Sequence, residues 1–205
     1  MGINRVFSEL DLSQCKEMYK PEHTGILHIR AALDQKFLKS LRKEILSFER
    51  AFKTAISTNS YLSIDLTKNG EIPQRQFPMC VLLAADYNHL VYDAISCQIG
   101  FREHGRTSVE MNMYPAGYGR IRQHQDDENE VNLIGSVSVS GPGIFSCGKG
   151  WHAPSFRVEP GDLVLMRANL WYLNKLPTDF DTRPSHSVKA LDEVRYSIVI
   201  RDTIT

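Results

Sequence analysis

Thr107-Ser108-Val109-Glu110-Met111-Asn112-Met113-Tyr114 is the stretch that decides the fold. Val109, Met111 and Met113 alternate with Glu110 and Asn112, the period of a strand with one buried face. The period persists downstream. Val131 to Val139, Ile144-Phe145, Phe156-Arg157-Val158, Leu163-Val164-Leu165-Met166 and Tyr196 to Ile200 all read as short strands. Pro115-Ala116-Gly117, Gly141-Pro142-Gly143, Glu159-Pro160-Gly161-Asp162 and Pro184 punctuate them. Many short strands between turn signals indicate a sandwich, barrel or jelly roll.

Upstream the pattern changes. Ile26-Leu27-His28-Ile29 is a strand candidate, and residues 33–53 read as an amphipathic helix. Leu33, Phe37, Leu41, Ile45, Phe48 and Phe52 form its apolar stripe, with Lys36, Lys39, Arg42, Lys43 and Arg50 between them. Those cations suit a solvated outer face better than a nucleic-acid contact. A second helix is expected over about 86–98. Between the helices, residues 57–79 are rich in Ser, Thr, Asn, Gly and Pro. Two β-like pieces, Tyr61 to Leu66 and one from Phe77 onward, flank the turn signal Lys68-Asn69-Gly70. The segment is a lid over a site or a surface hairpin. The expectation is an α+β chain: N-terminal helices and lid over 1–106, packed as one structural domain on a double-stranded β-helix (jelly-roll) core over 107–205.

Composition narrows the function classes. With 24 Lys plus Arg against 24 Asp plus Glu, the net charge is zero, which argues against a polyanion-coating protein. A local basic groove stays open. No apolar run approaches the roughly 20 residues that span a bilayer, and Met1-Gly2-Ile3-Asn4-Arg5 opens no signal-peptide apolar region. Cys15, Cys80, Cys97 and Cys147 form no Cys-x-x-Cys pair. Free thiols in a cytoplasmic setting, or a nuclear one in a eukaryote, are the expectation.

Chemistry concentrates around His124. In Arg122-Gln123-His124-Gln125-Asp126 the imidazole and the carboxylate stand at i and i+2, the same face of a strand. His186, in Arg183-Pro184-Ser185-His186-Ser187, is the natural second imidazole. Two His and one carboxylate on one metal leave three octahedral positions open, the facial triad of non-haem iron oxygenases. Further on, Arg195 and Arg201 stand six residues apart in one strand and so share a face. Buried guanidiniums need anionic partners. A dicarboxylate supplies two, and so do Asp and Glu at the surface.

These residues resemble the AlkB-like branch of the Fe(II)/2-oxoglutarate dioxygenases. The family pattern is Asn-x-Tyr, His-x-Asp, a distal His, then Arg-x-Asn-x-Thr-x-Arg. The chain carries Asn112-Met113-Tyr114, His124-Gln125-Asp126, His186 and Arg195-Tyr196-Ser197-Ile198-Val199-Ile200-Arg201. Asp126-Asp127-Glu128, Ser136-Val137-Ser138 and Gly143-Ile144-Phe145 are also similar to family members. The resemblance covers about residues 109–201. It implies that His124, Asp126 and His186 hold Fe(II), and that Asn112 and Tyr114 hydrogen-bond 2-oxoglutarate. It further implies that Arg195 and Arg201 bind the carboxylate ends of 2-oxoglutarate, that Ser136 lines the same pocket, and that Glu128 faces the target base. Ser197 and Val199 depart from the family's Asn and Thr, and His186 to Arg195 is a short interval for AlkB itself.

The reading that follows is a dioxygenase using Fe(II), 2-oxoglutarate and O2 to demethylate or hydroxylate a methylated or alkylated nucleobase. Nucleic acid is then the partner, and no membrane is involved. Arg75, Lys68 and the basic residues of 33–53 are candidate phosphate contacts, and Trp151, Trp171 or Tyr172 candidate stacking surfaces. Two alternatives stand beside it. One keeps the iron chemistry and hydroxylates a free nucleobase, an amino acid, another small-molecule substrate or a protein side chain. The other is a non-catalytic β-roll binding module in which His124 and His186 are structural.

Overall fold

The structure is a computed structural model, and it describes residues 5–19, 23–48, 61–67, 73–96, 106–127, 129–148, 153–168 and 183–203. The strands are β1 (Ile26–Ile29), β2 (Leu62–Asp65), β3 (Arg106–Tyr114), β4 (Arg120–His124), β5 (Glu130–Ser140), β6 (Gly143–Cys147), β7 (Ser155–Val158), β8 (Leu163–Arg167), β9 (His186–Ala190) and β10 (Arg195–Thr203). The helices are α1 (Gln35–Ser47) and α2 (Pro78–Ser96), preceded by a short 3-10 helix, Ser13–Tyr19.

The strands form a six-stranded sheet, β1-β8-β5-β10-β3-β2, and a four-stranded sheet, β4-β9-β6-β7. From β3 to β10 the chain passes back and forth between the two sheets: β3, β5, β8 and β10 lie in the larger, β4, β6, β7 and β9 in the smaller. That is a jelly-roll-like layout. β1 and β2, from upstream of residue 107, extend the larger sheet at its two edges.

Strand alternation sorts the larger sheet's side chains into two cores. Val109, Met111, Leu133, Val137, Leu163, Leu165, Tyr196, Ile198 and Ile200 pack in one cluster with Phe37, Leu41 and Ile45 of α1 and Leu83 and Tyr87 of α2. The opposite face gives Tyr114, Ile134, Val164, Met166 and Val199 to a second cluster, shared with Phe145, Val158 and Val188 of the smaller sheet. Glu110, Asn112 and Ser136 occupy this second face by the same period of two. The polar residues that alternate with the helix-facing core therefore point between the sheets.

Two expectations need correction. The piece from Phe77 onward is the start of α2, not a strand. Pro78 occupies the first helical position, where its missing N–H costs nothing. The carboxylate of Glu44 on α1 accepts from the N–H groups of Met79 and Cys80, at 2.8 and 3.0 Å. α2 consequently begins well before residue 86. The stretch Tyr61 to Leu66 does hold a strand, but β2 pairs with β3; Lys68-Asn69-Gly70 lies outside the described residues. α1 starts two residues after Leu33 because Asp34 is its N-cap, accepting from the N–H of Lys36 and of Phe37 at 2.9 and 3.0 Å.

Candidate active site

The metal-ligating candidates sit on the smaller sheet. β4 and β9 pair from Arg120 and Ile121 opposite Lys189 and Val188, and then His124 opposite His186. Three residues on β4 therefore match two on β9, which is a β-bulge at Arg122-Gln123. Without it, Ile121 and His124 would face opposite ways. The bulge puts both on the inner face, where Ile121 and His124 line one cavity. Asp126 follows in the loop, buried.

Both imidazoles are oriented the same way. His124 Nδ1 lies 2.9 Å from Arg122 O and His186 Nδ1 3.2 Å from Pro184 O, each the carbonyl two residues back. A carbonyl accepts only from N–H, so the proton is on Nδ1 and the Nε2 lone pairs turn toward Asp126. Nε2 of His124 is 3.8 Å from Asp126 Oδ1, and Nε2 of His186 is 3.7 Å from Oδ2. All three ligand atoms lie within 4.8 Å of one another. Metal–ligand bonds of about 2.0–2.2 Å place neighbouring octahedral ligand atoms roughly 3 Å apart, so the two imidazole–carboxylate pairs need to close by less than about an ångström. Burial pushes the His186 pKa down, against the pull of Asp126. The imidazole is thereby kept in its neutral, ligating form.

Surrounding contacts hold this arrangement. The Phe145 ring lies parallel to His186, with centroids 5.4 Å apart. Gln123 Nε2 donates to Ser185 Oγ at 3.1 Å and to Gly148 O. Arg183 Nη1 donates to the main-chain oxygen of Asp126 at 2.8 Å, and Gln125 Nε2 to that of Arg183 at 2.9 Å. The two ligand-bearing segments are thus tied directly to each other.

The cluster opens into a cavity of about 300 Å³, lined also by Tyr61, Asn112, Tyr114, Ser136 and Arg201. The two arginines share the inner face of β10 but have different surroundings. Arg201 is held between two carboxylates: Nη1 is 2.5 Å from Glu110 Oε2, and Nε 3.0 Å from Glu130 Oε1. Burial opposes its charge, but these partners outweigh that effect and raise its pKa. Arg195 is only 1% exposed. Its Nη2 donates to Ser138 Oγ at 3.0 Å, while among the described residues Nε and Nη1 have no hydrogen-bond partner. It lies behind the cavity wall, its guanidinium carbon 5.5 Å from the centre of the Tyr114 ring. Gly143 makes room for it, since a Cβ there would stand 2.7 Å from Arg195 Nε. Burial lowers the pKa of Arg195.

Among the expected site residues, His124, Asp126 and His186 converge, and Asn112, Tyr114, Ser136 and Arg201 line the adjoining cavity. Arg195 lies immediately beneath Tyr114. Glu128 falls outside the described residues, as do Lys68, Arg50, Trp151, Trp171 and Tyr172. Sequence reading missed Glu110, Asp127 and Glu130, which also line the cavity. Glu110 was within reach, because it shares the period of Asn112 and Tyr114. Glu130 reaches the site through a cross-strand contact that no local pattern encodes. Ser197, one of the departures from the family motif, hydrogen-bonds Tyr114.

The sequence matches no family model and no curated protein. Solved structures do share the fold. A prolyl-4-hydroxylase from Pseudomonas putida superposes with a TM-score of 0.67 at 13% identity, covering 95% of this chain and 100% of that one. A prolyl hydroxylase from Trichoplax adhaerens, solved with a hypoxia inducible factor oxygen degradation domain peptide fragment, gives a TM-score of 0.65 at 11% identity, covering 94% and 90%. At such identities the likeness is one of fold. No helix among the described residues is long and apolar enough to cross a membrane.

Proposed function

We propose that this chain is an Fe(II)- and 2-oxoglutarate-dependent dioxygenase that hydroxylates an amino-acid side chain, most simply one in a polypeptide. The observation that carries the reading is the His124, Asp126 and His186 cluster, which opens into a cavity backed by a buried guanidinium with two unused donors. The donor set of two neutral imidazoles and one carboxylate suits Fe(II) with open positions. Arg195, buried and unmatched, suits the far carboxylate of 2-oxoglutarate, with the Ser138 hydroxyl beside it.

When bound, iron supplies the activation of dioxygen, and the protein supplies orientation and a dry surround. In the overall reaction 2-oxoglutarate loses carbon dioxide and becomes succinate. One atom of O2 enters succinate, and the other enters a substrate C–H bond as hydroxyl. The four electrons that dioxygen takes up come two from each organic partner. His124 and His186 present Nε2 to the metal, and Asp126 presents its carboxylate. Phe145, Met166, Val188 and Val199 give one side of the cavity an apolar wall beside the metal-ligating cluster.

The substrate class follows the fold neighbours, both named as prolyl hydroxylases and one solved with a peptide fragment. The nucleobase reading rests on the AlkB-like motifs alone, and the final motif departs from that family at Ser197 and Val199. Purified protein with Fe(II), 2-oxoglutarate and O2 is expected to release succinate, with His124→Ala reducing release to background. Wild-type turnover in His124→Ala would overturn the ligand assignment.

A further inference from the structure

The cavity holds more carboxylate than its own cations match. Glu110, Asp126, Asp127 and Glu130 all line it, and the described cation in its wall is Arg201. Asp126 belongs to the metal cluster. Glu110 is satisfied by Arg201, by the Ser63 hydroxyl and by the Asn112 amide, which together hold its pKa down despite burial. Glu130 is matched on one oxygen only: Oε1 pairs with Arg201 Nε at 3.0 Å, while the residue is 7% exposed and its Oε2 is buried with no hydrogen-bond partner among the described residues. Burial pushes its pKa up to about 8; Arg201 pulls the other way, and Asp126, Asp127 and Glu110 add to the rise. Asn112, 2% exposed and in the same wall, likewise leaves Oδ1 without a partner. Its orientation is set by its hydrogen bond to the Glu110 carboxylate, which requires the amide N–H to face Glu110. The Asn112 oxygen accepts a hydrogen bond, and Glu130 accepts one in its carboxylate form, the form that a bound cation favours.

We infer that the cavity takes a basic side chain, a lysine or arginine of a polypeptide, with its ammonium or guanidinium seated against Glu130 and its methylene stem turned toward the metal cluster. The inference rests on the dioxygenase reading and narrows its substrate. A cation matches the Glu130 oxygen that Arg201 leaves without a partner and supplies three to five N–H donors. The stem has aliphatic surface to cover at Ile121, Val188 and Val199. A flat methylated base fits less well, because the ring at the cavity edge, Tyr61, already stacks on Tyr114 at 5.6 Å between centroids. Hydroxylation of a stem methylene has the balance given above: oxygen inserts into C–H, and the ammonium or guanidinium is left intact.

The test uses the full chain with Fe(II), 2-oxoglutarate and O2. The probes are pools of nine-residue peptides, degenerate except at a central Lys, Arg, Pro, Nε-acetyl-lysine or citrulline, with a methylated oligonucleotide alongside. A gain of one oxygen atom by mass spectrometry is expected in the Lys or Arg pool, at least about tenfold above its neutral counterpart, the effect of roughly one charge-assisted contact. Glu130→Gln is expected to collapse that ratio toward one. The inference is overturned if the Pro pool or the oligonucleotide is the oxidised probe, or if acetyl-lysine and citrulline match Lys and Arg. It is also overturned if 2-oxoglutarate is consumed while neither basic pool gains oxygen. Absence of any Fe(II)-dependent succinate release, with or without peptide, instead sinks the dioxygenase reading itself. Should Glu130→Gln fail to fold, the comparison of charged with neutral pools in the wild type still decides.

Discussion

Arg195 has the Ser138 hydroxyl and the Tyr114 ring against its guanidinium, and among the described residues its Nε and Nη1 have no hydrogen-bond partner. An unpaired guanidinium at 1% exposure is costly. Arg195→Met, of similar length and without charge, is expected to raise the thermal midpoint of the ligand-free protein. The same change is expected to raise the KM for 2-oxoglutarate about 10- to 100-fold, the loss of a contact worth roughly 1.5–3 kcal/mol. Thermal scans and succinate kinetics on one preparation check both halves; a variant with lowered stability and unchanged KM points to a purely structural arginine. Glu130 gives a second expectation at this scale. Its folded pKa, about 8, is above the ordinary value of 4.5, so between these pH values the native state binds the extra proton. Stability of the metal-free protein therefore falls as pH rises from about 5 to 8. Glu130→Gln is expected to flatten that slope in urea titrations at pH 5, 6.5 and 8, and an unchanged slope counts against the shift. The sequence made the shared face of Arg195 and Arg201 legible, because six residues is an even step in a strand. It could not separate their roles, since Glu110 and Glu130 reach Arg201 from neighbouring strands of the larger sheet.

At the scale of elements, the bulge in β4 aims His124 at Asp126 and His186. Side-chain direction in a strand inverts with every one-residue shift. Deletion of Gln123 leaves Ile121 and His124 two residues apart in regular pairing, so His124 keeps the inner face, and the loss of the Gln123 contacts to Ser185 and Gly148 is expected to cut metal affinity about tenfold, the lower end of what a lost outer-shell partner costs. Mn(II) titration of the folded variant, with circular dichroism to verify the fold, measures this; undiminished affinity means that the Gln123 contacts do not hold the ligand in place. Such a bulge is invisible to a period-two reading, which places His124 and Asp126 together by simple alternation and reaches the right pair by a partly wrong route. The start of α2 was hidden for a related reason. Its cap is Glu44, on α1, a residue far outside any local capping signal. Strands with one apolar face were legible; β9, with Ser187 and Lys189 on its outer side, offered too little contrast and was missed.

For the whole molecule, the candidate metal ligands and the candidate co-substrate arginine belong to different sheets. His124 and His186 come from β4 and β9 of the smaller sheet, and Arg195 from β10 of the larger. Tyr114 and Phe145 fill the space between, in the inter-sheet core. A metal alone ties down only one sheet. 2-Oxoglutarate reaching from the metal to Arg195 would join both, and would discharge the unpaired guanidinium as it did so. The two ligands should then stabilise the fold together by more than the sum of their separate effects. Each at about 100 times its Kd contributes roughly 2.7 kcal/mol, which for a chain of 205 residues is a midpoint shift of about 5–10 °C. Thermal scans under argon with Mn(II), with 2-oxoglutarate and with both are expected to show a shift for the pair that exceeds the two separate shifts added. Arg195→Met is expected to retain the Mn(II) shift and lose the excess. Strict additivity in the wild type would mean that the two sheets carry independent sites, and the bridging role of Arg195 would fall with it.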